Sequence, residues 1–201
     1  MGHREDLLAG AKRCLYEKGY LRTTARDIVA ASGTNLASIG YHYGSKEALL
    51  NQALFEALGE WGEEVEAAVA AAAGPDSTPI ERFAAFWGRL LGSFDTHKHL
   101  WAATFEIVLQ FDRMPELRQM VADGTQDARR AWAQLFQGLD ATADPAGAYA
   151  VGSVYHAIMS GVLAQWLSDP EHAPSATDLA EGLRRIADAL SPAGTDRAGN
   201  G

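Results

Sequence analysis

The residues whose types most directly suggest a chemistry are the aromatic-basic cluster Tyr41, His42 and Tyr43. The cluster closes a short helical pattern that begins at Asn35. Just before it, another short pattern (Arg26, Asp27, Ile28, Ala31) stops at Ser32-Gly33-Thr34. Two short helices joined by a tight glycine-containing turn make a helix-turn-helix, whose second helix can enter the DNA major groove. Elsewhere no nucleophile-base pair or phosphate loop stands out. His97 and His99 flank Lys98 at an expected loop without acidic ligands nearby, a poor metal site. The single cysteine, Cys14, shares a helical stripe with Leu7, Leu8, Ala11 and Leu15 and reads as a reduced core thiol.

Charge supports a DNA-reading segment. The net charge of the 201-residue chain is −9, yet residues 1–50 carry +2 and residues 51–201 carry −11. Between Ala11 and Lys46 six basic residues face two acidic ones. A local basic face binds phosphate through counterion release whatever the rest of the molecule carries. No apolar run approaches the roughly 20 residues needed to span a bilayer. The start, MGHRED, lacks the apolar core of a secretion signal, so a cytoplasmic location and no membrane partner are expected.

Caps and prolines mark the elements that hold these residues. A first helix is expected from about Arg4 to Lys18, stopping at Gly19. Thr24 with Asp27 forms a capping box, Ser45 caps the next long run, and Thr78-Pro79 with Glu81 opens another helix. The run from Ser45 toward Ala73 reads as one helix or two, because Gly59 and Gly62 weaken its middle. The stretch Gly74-Pro75-Asp76-Ser77-Thr78 reads as a loop. A separate apolar helix is expected over Leu100–Phe111, others start at Pro115 and Asp144-Pro145, and a last one runs from Ser175 or Thr177 to Pro192. No period-two alternation suggests a strand. The expectation is an all-α protein of about nine helices. It has a three-helix DNA-binding head (1–50), a helical ligand-binding and dimerisation body (51–192) and a disordered tail (193–201).

The ordered combination of first helix, Gly19-Tyr20, capped Thr24, DIVAASG and Ile39-Gly40-Tyr41-His42-Tyr43-Gly44-Ser45-Lys46 resembles the DNA-binding domain of TetR-family transcriptional regulators. The resemblance implies that Arg26 reaches phosphate or a base edge. It directs Asn35, Leu36, Ala37 and Ser38 to the major groove, and it sets Tyr41, His42 and Lys46 on the backbone. Thr24 would also meet a phosphate while capping. Tyr43 stands where the family usually buries a Phe, and packing is expected of it. Gly40 stands where an aromatic residue is common, and Leu36 where a polar one is.

The body is rich in aromatic residues. An ordinary core accounts for most of them; an apolar pocket with a few polar groups is the alternative. Family resemblance favours the pocket, with Trp87, Trp101, Phe105, Glu106, Gln110, Trp132, Phe136, Tyr155, His156 and Met159 as the candidate effector site. Glu106, inside LWAATFEIVLQF, must be paired or protonated if buried; Arg89, Arg129 or Arg130 could pair with it, or it could face an effector. The helix from Pro145 has a broad apolar face and a small-residue face that includes Gly161. With the last helix it resembles the family's four-helix dimer interface. Two heads about one DNA turn apart would read a near-palindrome. The expected function is therefore a homodimeric repressor that binds a double-stranded operator and is released by a small, largely apolar effector, with no cofactor and no enzymatic role. An effector-independent DNA-binding protein whose body only dimerises is the alternative.

Overall fold

The computed structural model describes residues 3–72, 76–112 and 114–191, and within these it is all helical. The elements are α1 (His3–Lys18), α2 (Ala25–Ser32), α3 (Leu36–Tyr43), α4 (Lys46–Ala72), α5 (Pro79–Glu106), a 3-10 turn (Ile107–Gln110), α6 (Pro115–Gln137), α7 (Pro145–Ser168) and α8 (Ala176–Leu190). Residues 74–75 of the expected loop, Pro192 and the expected tail 193–201 lie outside the described residues.

Several boundaries follow from the caps. Thr24, Thr78 and Ser175 each close a complete capping box, with Asp27, Glu81 and Asp178 as the returning carboxylates. Asp144 accepts the amide of Gly147 ahead of α7, and Ser45 accepts that of Ala48 at the start of α4. Each such cap satisfies amides that the helix cannot pair internally, typically worth about 1 kcal/mol.

One open alternative is decided and one expectation changes. The run after Ser45 is a single helix that Gly59 and Gly62 do not divide, because Leu54, Ala57, Trp61, Val65 and Val69 form one buried stripe along it. Burying that stripe outweighs the penalty of about 1 kcal/mol per helical glycine. The separate helix expected over Leu100–Phe111 is instead the second arm of α5, which bends at His97 (φ −112°, ψ 17°) and tightens into the 3-10 turn after Glu106. The described residues thus hold eight α-helices, and His97 and His99 sit in a bent helix rather than a loop.

The apolar faces meet in two cores. The first gathers Leu7, Leu15, Ile28, Ile39, Leu49 and Leu54 from α1 to α4, and also takes in Leu100 and Ala103 from the far end of α5, Ile107 from the 3-10 turn and Leu117 from the start of α6. The second is aromatic, with Trp61, Phe83, Phe86, Trp87, Phe94, Trp101, Phe136 and Trp166. α4 runs without a break through both, so the three short N-terminal helices are packed onto the long helices rather than hung from a linker.

Candidate DNA-reading surface and body core

The expected reading helix is helical and outward-facing. Asn35 is its N-cap, and its Oδ1 accepts the amide of Ser38 at 3.1 Å. Ile39, 4% exposed, anchors the helix in the core beneath. The opposite face is open: Leu36 is 53% and Tyr41 85% exposed, with Ala37 exposed and Ser38 half-buried. The preceding turn depends on Gly33, whose φ of +68° is a left-handed value costly for residues with a Cβ. Tyr41 meets the half-buried His42 edge-on, with ring centroids 4.8 Å apart.

The remaining candidates divide into exposed groups and groups already engaged. Arg26 is exposed in the first turn of α2. Thr24 is exposed, but its N–H and hydroxyl both donate to the Asp27 carboxylate, at 2.9 and 2.7 Å. Lys18 and these Thr24 bonds together hold the Asp27 carboxyl well below the usual carboxylate range. Lys46 Nζ donates to the Thr23 carbonyl at 3.2 Å and lies 3.4 Å from Glu47, tying the start of α4 to the loop before α2. Tyr43 packs as expected, and its hydroxyl donates to the Arg4 carbonyl.

In the body, Trp87 and Phe136 are buried, 1% and 2% exposed, as is Trp101 at 5%; Trp132, Tyr155 and Met159 pack partly buried against them. Phe86 is the hub, within 6.4 Å centroid to centroid of Trp61, Trp87, Trp132 and Phe136. Gln137 donates to the Tyr155 hydroxyl at 2.8 Å. The α6–α7 seam is tight at Gly152, where a Cβ would collide with the backbone carbonyl of Arg129.

Three of the ten effector candidates lie apart from this core. Phe105 is 39% exposed, and Gln110 sits half-buried in the 3-10 turn. Glu106 pairs with none of the arginines expected for it; its carboxylate accepts the backbone amide of Leu21. The apolar neighbours of Glu106 in the sequence implied burial, but the carboxylate stands half-buried at the end of α5, where the Leu21 amide reaches it. Nearby, His99 Nδ1 donates to the Tyr16 carbonyl at 2.9 Å and its Nε2 accepts from Arg22 at 3.0 Å. These head-to-body contacts were missed because spacing offers no sign of them; only the two histidines stood out. An open cleft of about 640 Å3 lies elsewhere again, between the end of α3, α4 and α6, lined by His42, Phe55, Glu56 and Met120 among others.

Residues 7–53 match the family described as bacterial regulatory proteins, tetR family, and residues 78–189 match the tetracyclin repressor-like C-terminal domain. The second match alone spans more than half of the chain. The chain belongs to the TetR family. It is thus a DNA-binding transcriptional regulator rather than an enzyme. The HTH-type transcriptional repressor AcnR of Corynebacterium efficiens is 41% identical over 46 residues, covering 23% of this chain and 24% of that protein. The shared segment is therefore about a quarter of that relative's length. Among solved structures, a TetR-family member from Streptomyces coelicolor shares 22% identity and a TM-score of 0.64, covering 96% of this chain and all (100%) of that one. The multidrug binding protein EbrR, complexed with proflavin, shares 24% identity and a TM-score of 0.66, covering 92% of this chain and 99% of its own. Among the described residues of this TetR-family chain, no helix is long and apolar enough to cross a membrane.

Proposed function

We propose that this chain is a homodimeric repressor whose α3 helices enter successive major grooves of a near-palindromic operator and whose body binds a small aromatic effector. The observation that carries the reading is the capped, exposed face of α3 on a core shared with α5 and α6. Leu36, Ala37 and Ser38 would meet base edges, and Arg26, Tyr41 and His42 phosphates, with Thr24 and Lys46 shaping the surface around them. The head (1–50) is built on residues of the body (51–192), so a change in the body's packing alters the spacing of two heads.

Dimerisation through α7 and α8 is supported by exposed apolar residues, Tyr149 and Val154 on α7 and Ile186 and Leu190 on α8. The stripe Leu179, Leu183, Ile186, Leu190 begins half-buried against the body and ends in the open, as expected of a helix completed by a second copy. An effector is favoured over a body that only dimerises by buried polar atoms of Trp87, Trp101, Trp132, Arg129 and His156 that have no partner among the described residues. EbrR, of the same fold, was solved with proflavin, so the fold accommodates an aromatic ligand. The effector would favour the conformation whose heads are misplaced for DNA, and its differential affinity would set the extent of release.

The test selects bound duplexes from a random pool and measures the affinity of the winner. A palindromic winner bound by two copies, and lost in Tyr41→Ala, is expected. Failure to enrich any duplex at low ionic strength would overturn the reading.

A further inference from the structure

The unpartnered atoms in the body share one chemical character. The indole N–H groups of Trp87, Trp101 and Trp132 and the Nε–H of Arg129 can only donate, and His156 Nδ1 can donate in one tautomer. None has an acceptor among the described residues. Such groups are costly to bury unsatisfied, and native interiors pair them with protein, water or ligand. Three of the five lie along the α6–α7 seam. Arg129 and Trp132 stand one turn apart on α6, and His156 stands one turn beyond Gly152, whose backbone abuts the Arg129 carbonyl. Trp87 and Trp132 flank the same ring, Phe86, and Trp101 lies against Trp61, which also touches Phe86.

The acceptor side of this interior is poor. Among the described residues the buried polar side chains are Thr23 and Asn51, both beside the first core and away from the aromatic one, and no Asp or Glu is fully buried. Tyr155 has its oxygen occupied by Gln137, leaving its own O–H to donate. Burial and the Arg129 guanidinium hold the His156 imidazole below its ordinary pKa, so the neutral ring faces the seam without adding a second cation.

We infer that the effector is a planar aromatic anion or carbonyl-rich aromatic compound, its acceptor oxygens taken by Arg129 and Trp132 and its ring lodged beside Phe86. This rests on the effector reading above and narrows it to one chemical class. An organic cation, such as the proflavin bound to EbrR, would meet Arg129 and a set of donors with no carboxylate to neutralise it.

The full-length protein is titrated with 2-naphthoate and with 2-naphthylmethylammonium, two probes of one shape and opposite charge, and followed by tryptophan fluorescence and by thermal shift. The naphthoate should bind at least about tenfold tighter than the ammonium; Arg129→Met and Trp132→Phe should each cost the naphthoate about tenfold, while Arg129→Met tightens the ammonium and Trp132→Phe does not weaken it. If Arg129→Met does not fold, Trp132→Phe and the anion-to-cation ratio of the unmodified protein still decide. A cation that binds as tightly as the anion overturns the chemical class and leaves the effector reading standing. Naphthoate affinity unchanged in both variants overturns it too, because the donors then serve internal water. Silence from both probes up to their solubility limits overturns this inference and leaves the broader effector reading to an operator-release assay.

Discussion

The Glu106 carboxylate, at the end of α5, accepts the backbone amide of Leu21, in the loop joining α1 to α2, at 3.1 Å. With the His99 bonds to Tyr16 and Arg22, it fastens the DNA-reading head to the bent arm of α5. Tyr20, next along the loop, has its phenol pushed up to about 12 by burial first and then by Glu47 and Glu106. Glu106→Ala should therefore lower stability by about 1 kcal/mol, the net worth of one hydrogen bond to a partly exposed carboxylate. Hydrogen exchange at the Leu21 amide should rise. Glu106→Gln keeps an acceptor oxygen and should recover most of the loss in a denaturant titration. An Ala variant with unaltered Leu21 exchange would show that the latch holds nothing.

Asn35 was expected in the groove, but its side-chain oxygen is committed to the Ser38 amide. Asn35→Ala should weaken binding to every duplex alike by fraying the first turn of α3, a cap loss of about 1 kcal/mol. Asn35→Ser retains a cap and should restore binding. A change in preferred base at one operator position would instead mark Asn35 as a base reader.

Arg26 and Lys46 differ in what surrounds them. Arg26 is exposed, whereas Lys46 is engaged with Thr23 and Glu47. Arg26→Ala should reduce the slope of log affinity against log salt by about one, as loss of one phosphate contact does. Lys46→Ala should lower the slope less and should lower the melting temperature of the protein. Equal slopes in the two variants would refute the distinction.

The helices were legible because caps and stripes are local. Thr24, Thr78 and Ser175 each carry their carboxylate three residues on, and that spacing alone closes the box. Tertiary packing determined what local pattern could not. One buried stripe overrode Gly59 and Gly62, and the arm of α5 beyond the bend at His97 carries Trp101 into the aromatic core while Phe105, Glu106 and Gln110 lie outside it. The exposed face of α3 follows from the position of Ile39 on its inner side, which periodicity gives. The partners of Lys46 and Glu106 depend on contacts between segments far apart in the chain, which periodicity does not.

The end of α8 offers a test of dimerisation that spares the fold. Ile186 is 57% and Leu190 79% exposed, so Ile186→Glu removes little packing within one chain. Gly161 is exposed on α7 and has no neighbour within 4 Å of where a Cβ would stand, so Gly161→Phe should also spare the fold of the single chain. Both variants should sediment as monomers with unchanged helical content and should lose operator affinity far beyond any loss in melting temperature. A stable dimer from both would exclude this face.

His156 should make the body sensitive to mild acid. Burial first, and then the nearby Arg129 cation, lower its pKa from the ordinary 6.5. As pH falls, the unfolded chain takes up this proton before the folded one does. The stability that His156 contributes is thus complete above its unfolded value and is lost as pH drops from there through the lower folded value. His156→Gln cannot titrate, so the difference in unfolding free energy between the native protein and this variant should shrink between about pH 7.5 and about pH 5.5. Denaturant titrations at the two pH values measure it, and the comparison cancels every contribution that the two proteins share. A difference independent of pH would mean that the imidazole reaches water and that the α6–α7 seam is open there.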